Sequence, residues 1–432
     1  MQHPNPTWWF ICCASILSIL VLSAPSWRER DLQHHHIPHI QHVLKPRVMC
    51  MDLPDLTAWC EYSAYGFCMN TMSHALVQSD DPSQWGQPLP GLNELSDNFM
   101  HLDRPDASSA DAGLPYRSFL QGAYASPQEN AQKTPGLTVI AALDDDWRGG
   151  NLFHFSTTMM VAWLAKLHPL QFDGKIDNVL ILKPRVQFTD FQAGLCSVIF
   201  GSNTSFMFLE EVQQATPDGI CFERALVLGA SLTLFSGTWD SMRFRRALAL
   251  AYPDPMYHLR KEMVTLFRRT EKRVIENLED IAIESERATG LKSQIVQFSG
   301  TTPFHDQLQV MSGTALFITA HGATIPLAMF MPASSAVVEI CGYKFNYILY
   351  ERAVLSMGHF HFRYTASRSE IVSVDTTPFV ALGSAACFAD AACMETVKDA
   401  SMNINLERFR SYLDAASDAS SAQVNTAFTK PT

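Results

Sequence analysis

The chain has 432 residues, 47% hydrophobic and 17% charged, and its 43 acids against 32 bases leave a net charge of −11. The length predicts two or three domains at ~100–200 residues each, and the composition excludes a disordered, collagen-like or coiled-coil chain. An acidic balance without a long basic block argues against a nucleic-acid binder.

The first predicted element is the charge-free run from Trp8 to Ala24. It sits at the short end of the roughly 17–25 apolar residues a membrane span needs. The Trp8–Trp9 pair has the character of an interfacial anchor. Pro25 is a poor residue just after a cleavage point, so residues 1–25 are expected to form a signal anchor, with a cleaved signal peptide as the rival. The positive-inside rule does not decide, because residues 1–7 carry no Lys or Arg while Arg28 and Arg30 follow the run. The anchor predicts a single-pass protein of the Golgi or endoplasmic reticulum membrane with a lumenal body. Outside the apolar run eight cysteines remain, an even number that permits disulfides in an oxidising lumen, with buried free thiols as the alternative. Cys387 and Cys393 are the first pair expected to bond. Asn203-Thr204-Ser205 is a glycosylation sequon.

Residues 26–49 hold a histidine cluster, HHHIPHIQH, among prolines and read as a stem. Its histidines have no acidic or cysteine partner at metal-ligand spacing. Residues 50–135 carry three cysteines and then a loop-rich stretch. A first α/β unit is expected over 136–257. LTVIAAL (137–143), NVLILK (178–183) and ALVLGAS (225–231) read as buried strands. NLFHFSTTMMVAWLAKL (151–167) and RFRRALALAY (243–252) read as helices. A second unit is expected over 258–370. Its strands are EMVTLFRRT (262–270), SQIVQFSG (293–300), ALFITAHGA (315–323), AVVEIC (336–341) and HFHFRYTA (359–366). Its helices are 273–289, 303–314 and 343–358. Alternating strands and helices predict open α/β sheets. Residues 371–432 form a tail with a return helix over Asn403–Ala416.

Asp144-Asp145-Asp146 ends the first strand of the first unit. A D-x-D after a hydrophobic strand suits Mn²⁺ on a sugar diphosphate, since hard oxygen ligands fit that ion. The alternative, a loop or helix-capping run at the edge of a site, is favoured because the triplet directly precedes GNLFHF.

Four segments in order resemble glycosyltransferase family 61: GNLFHF (150–155), ICFERALVLGAS (220–231), FRRTEKRVIEN (267–277) and FHDQLQVMSGTALFITAHGATIPLAMFMPASSAVVEI (304–340). In the last, Gln307, His321, Gly322, Ala323, Phe330, Pro332 and Glu339 fall in the register of the family pattern. The sequence departs from that pattern at Thr158, Thr324 and Leu327. The resemblance implies a GT-B arrangement of two Rossmann-like domains. It also implies an inverting, metal-independent transferase that uses a UDP-sugar as co-substrate and needs no further cofactor. The donor sugar would be xylose or N-acetylglucosamine first, and the acceptor a glycan or glycoprotein hydroxyl. The departures motivate a second reading, a catalytically degenerate member that binds glycans or partner proteins.

Within that frame, Arg268, Arg269 and Arg273 follow a strand end, where forked donors stabilise charge on a departing diphosphate. His321, Gly322 and Ala323 form a turn after a buried strand, where glycine lets backbone approach a ligand. Glu339 is a candidate for ribose hydroxyls. His154 and Asp146 are the candidates for the base that deprotonates the acceptor. Asn151 is expected on the acceptor side or as a helix cap.

Overall fold

The structure is a computed structural model that describes residues 27–28, 47–52, 58–70, 75–78, 132–141, 150–167, 175–181, 185, 188–201, 203–215, 220–228, 234–235, 237–253, 261–345 and 349–422. The expected anchor, the histidine cluster and Asp144–Asp146 lie outside these residues. Among the described residues no helix is long and apolar enough to cross a membrane.

Two sheets organise the chain. The first contains β1 (Trp27–Arg28), β2 (Arg47–Asp52), β3 (Ala58–Asn70), β4 (Ala75–Gln78), β5 (Gln132–Ala141), β6 (Ile176–Ile181), β7 (Ser205–Phe208) and β8 (Ile220–Val227), in the order β1-β2-β3-β8-β5-β6-β7 with β4 beside β3. Strands β8, β5, β6 and β7 run parallel, whereas β3 pairs antiparallel with β8. The described interior of this parallel part is apolar, with Val139, Ile140, Val179 and Leu180 fully buried, as strands covered on both faces require. Strand β5 begins at Gln132, earlier than the expected 137, because Gln132–Thr134 already pair with β8.

Helices of this unit are α1 (Leu152–Leu167), α2 (Asp190–Phe200), α3 (Leu209–Ala215) and α4 (Thr238–Ala251). Helix α2 was not expected, although its signal stands in the sequence. Thr189 and Gln192 form a reciprocal capping box, satisfying two backbone donors that the helix start leaves open.

The second sheet holds β9 (Met263–Phe267), β10 (Lys292–Val296), β11 (Thr314–Ala320), β12 (Ala336–Cys341) and β13 (Phe360–Thr365). All its pairings are parallel, in the order β10-β9-β11-β12-β13. One face packs α5 (Leu278–Thr289) and the return helix α10 (Leu406–Ala422) around Leu266, Ile318, Val338 and Phe409. The other face packs α6 (Phe304–Ser312), a 3-10 turn (Ile325–Phe330) and α7 (Leu349–Ser356). Two short helices, α8 (Ser384–Ala389) and α9 (Ala391–Val397), carry the Cys387–Cys393 disulfide between them. Cys196 and Cys341 are free and buried.

Two helices are shorter than the sequence suggests. The one expected from residue 273 starts at Leu278, because Arg273 has φ 57 and residues 274–276 pair with the tail at Met402. The one expected from 343 starts at Leu349. Lys344 has φ 60, and its ammonium instead donates to the carbonyls of Phe379, Val380 and Leu382.

An aromatic seam joins the two units. Phe304 lies between Phe191 (5.9 Å), Phe330 (5.4 Å) and Tyr252 (5.4 Å). Gly194 on α2 lets that ring in, since a Cβ there would lie 2.1 Å from Phe304 Cγ. Gly194→Ala is expected to lower stability by about 1–3 kcal/mol, as overpacking of a filled core does. A urea melt of the variant checks this; an unchanged midpoint would show that the ring has room to move.

Arg245, also buried, crosses the seam from α4 to the carbonyls of Met331 (2.8 Å) and Met357 (2.7 Å). His359 beside it sets Nε2 2.8 Å from both the Ala328 carbonyl and Arg245 Nη2, and its Nδ1 has no hydrogen-bond partner among the described residues. Burial and the Arg245 charge hold its imidazole well below the ordinary 6.5. A histidine kept neutral in the fold but free to charge in the unfolded chain makes stability fall as pH drops below about 6.5. Thermal melts at pH 7.5 and pH 5 should therefore show a smaller drop in His359→Gln than in wild type.

Candidate functional site

In an open parallel sheet, ligands sit beyond the carboxyl ends of the strands, where the chain reverses its direction of winding. Here the chain leaves β9 for β10 on one side and returns to β11 on the other, so that point lies between the ends of β9 and β11. The ends of these strands are Phe267 and Ala320. Arg269 and Arg273 follow the first, and His321, Gly322 and Ala323 follow the second.

The two arginines meet over Gly322. A Cβ there would lie 2.1 Å from Arg269 Nη1 and 3.5 Å from Arg273 Nη1, so the missing side chain is what gives the guanidiniums room. Arg269 Nε donates to the carbonyl of Lys272 at 2.9 Å, and no acid forms an ion pair with it among the described residues. Burial, and then the charge of Arg273, lower its pKa from 12.5. A cation held under this electrostatic pressure is relieved by an incoming anion. Arg273 donates from Nη1 to the His321 carbonyl (2.7 Å), from Nε to the Lys398 carbonyl (2.7 Å) and from Nη2 to Asp399 Oδ1 (3.1 Å). Its left-handed backbone costs about 1–2 kcal/mol for a residue other than glycine, and that cost is met by these fixed contacts.

Arg268 behaves differently. Its side chain turns to solvent and pairs with Glu279 on α5. Neighbouring residues leaving a strand point to opposite sides, so of the two adjacent arginines only Arg269 faces the crevice. The expectation for Arg268 is corrected accordingly.

Glu339 is also placed differently from its expected role. It is fully buried, and both of its oxygens are taken. His321 Nδ1 donates to Oε1 (2.5 Å) and His361 Nε2 donates to Oε2 (2.8 Å), with Arg363 Nε 3.5 Å from Oε2. Burial pushes the carboxyl up, but the hydrogen bonds from the two histidines outweigh it and bring it down to about 2. Burial holds His321 below 6.5 against the pull of Glu339, so a neutral imidazole faces a carboxylate. In place of binding ribose, Glu339 sets the orientation of the His321 ring. Cys341 Sγ lies 3.9 Å from His321 Nδ1. His321, Glu339 and Cys341 have the donor types of a metal site. Yet the carboxylate already has Arg363 and two imidazole donors, and burial keeps the thiol protonated.

Aromatic rings link this turn to the first unit. His321 packs edge-on against Phe345 (4.7 Å) and Tyr350 (4.6 Å). Tyr350 in turn meets Phe153 at 4.8 Å on α1, and His154 is the next residue. His154 is buried, with its ring 5.4 Å from that of Phe153. Asn151 Oδ1 accepts from the amides of Phe153 (3.0 Å) and His154 (3.4 Å), so it caps α1. Asn203 is exposed in a turn before β7. Sequence reasoning missed several residues of the site: Asp399 in the tail, His361 and Arg363 on β13, and Phe345, whose ring also lies 5.7 Å under the Arg273 guanidinium.

These features define an α/β protein with a cationic crevice at the winding reversal of its second sheet. The chain belongs to glycosyltransferase family 61: the family model described as Glycosyltransferase 61 matches residues 116–338. It is similar to protein O-linked-mannose beta-1,4-N-acetylglucosaminyltransferase 2 of Mus musculus, 30% identical over 88 residues, and to that of Bos taurus, 28% identical over 88 residues. Each match covers 20% of this chain and 15% of the relative's length. Among solved structures it is similar to the iron-containing dodecameric glycosyltransferase TibC from enterotoxigenic E. coli. That likeness covers 69% of this chain and 78% of the other, at 10% identity and a TM-score of 0.30, too loose to carry an argument.

Proposed function

We propose that the chain is an inverting glycosyltransferase of GT-B type that moves a sugar, xylose or N-acetylglucosamine first, from a UDP-sugar to a hydroxyl of a glycan or glycoprotein. The observation that carries this reading is the convergence of Arg269 and Arg273 over Gly322 at the winding reversal. In one displacement the acceptor oxygen attacks the anomeric carbon. The carbon–oxygen bond to the diphosphate breaks, and its electron pair leaves with UDP. Two guanidiniums fixed before the reaction stabilise that charge without reorganising. The acceptor proton passes to a base, for which His154 at the start of α1 is the described candidate. The names of the matching mammalian proteins support N-acetylglucosamine as a donor to test first. A lumenal body anchored through residues 1–25 is part of the same proposal.

The test is UDP release and product formation from UDP-xylose and UDP-N-acetylglucosamine, with glycan acceptors, in EDTA and with Mn²⁺. Activity in EDTA supports the metal-free displacement; activity that returns only with Mn²⁺ removes it. A second reading is favoured by three positions where the sequence departs from the family pattern. Thr158 and Leu327 are buried in the packing, and the Thr324 hydroxyl lies 3.1 Å from that of Thr319. All three serve the fold. A chain that is stabilised by glycans in thermal melts but not by millimolar UDP is the degenerate binder.

A further inference from the structure

The tail passes directly behind the crevice. Met402 donates its amide to the Val274 carbonyl (2.8 Å) and accepts from the Glu276 amide (2.8 Å), as an added strand would. Val397, Ala400 and Met402 are buried, so this segment is part of the frame. Its Asp399 accepts from Arg273 on one oxygen and pairs with Lys272 on the other (2.9 Å), while its carbonyl takes the Arg273 amide (3.0 Å). Asp399 lies outside residues 116–338, the segment matched by the family model.

From this geometry we infer that Asp399 is a positioning residue for the diphosphate of the donor, a role that rests on the nucleotide-sugar reading above. Arg269, Lys272 and Arg273 bring three positive charges to one turn, against the two negative charges of Glu271 and Asp399. The turn therefore keeps a positive excess toward a bound diphosphate. Asp399 holds Arg273 from behind, so the guanidinium keeps its left-handed backbone and its orientation toward Gly322 before any ligand arrives. Such preorganisation reduces the ordering cost of binding.

The opposite role is a carboxylate that occupies the phosphate position and must be displaced. The backbone pairing of 274–276 with Met402 argues against a movable plug.

The experiment measures binding of UDP and of uridine to wild type, Asp399→Ala, Asp399→Asn and Arg269→Ala. Asp399→Ala is expected to weaken UDP about tenfold and Asp399→Asn by less, with uridine unchanged in both. The selective loss distinguishes positioning of the phosphate site from general damage, which would weaken uridine equally and overturn the inference. If Asp399→Ala fails to fold, the isosteric Asn variant carries the comparison. Wild type that binds no UDP, or Arg269→Ala that binds it normally, removes the nucleotide-sugar reading and this inference with it. Loss in Arg269→Ala alongside unchanged or tighter binding in the Asp399 variants overturns the role of Asp399 alone.

Discussion

Glu339→Ala is expected to lower stability by roughly 3–5 kcal/mol, the range for removing one partner from a buried charged network. The loss leaves His321, His361 and Arg363 without the carboxylate on which they converge. Glu339→Gln keeps the shape and isolates the charge. A carboxyl whose folded pKa of about 2 lies below its ordinary 4.5 stabilises the fold above pH 4.5, and that contribution disappears as pH falls toward 2. The gap amounts to about 3 kcal/mol. Urea melts of wild type at pH 7 and pH 3 should therefore differ by more than those of Glu339→Gln. Equal differences would mean that the carboxyl titrates normally in the fold.

Arg269→Ala is expected to cut kcat/KM for the sugar transfer by about 10²–10³-fold, the loss typical of one preorganised donor at a site of developing charge. Arg269→Lys should recover only part of it, because an ammonium lacks the planar fork. Arg268→Ala is the internal comparison, since its pair with Glu279 lies at the surface and contributes little. A change of less than about twofold is expected there. Kinetics of the three variants with one donor would decide the matter. A similar loss from both alanine variants would dissolve the distinction between the adjacent arginines.

Much of the second unit was legible because its signals are local. Its inner strands β9, β11 and β12 are short, largely apolar runs, and β12 occupies the expected residues 336–341. The positions of Arg269, Arg273, His321 and Gly322 followed from a family pattern that spans strand ends. Three things were not legible. Which of two consecutive arginines enters the crevice depends on how the chain leaves β9, and both positions read the same in a linear pattern. The fate of Glu339 depends on His361, which lies in the next strand and comes into contact only through sheet register. Asp399 lies 126 residues after Arg273, so only the folded tail brings them together. Helix α2 was a different kind of omission. Its Thr189–Gln192 capping box is local, but its sequence, DFQAGLCSVIF, is too apolar for its period to stand out.

Strand β3 runs for 13 residues and pairs along one side of β8, while β13 and α10 close the far side of the second sheet. A recombinant fragment cut to residues 116–338 would therefore fail at both ends. It would bare the β8 edge to self-pairing, the usual route to aggregation of a sheet protein. It would also cut β12 after Val338, remove Glu339 and leave Arg273 without its brace. Fragments intended for crystallisation or assay should begin ahead of Arg47 and run through Ala422.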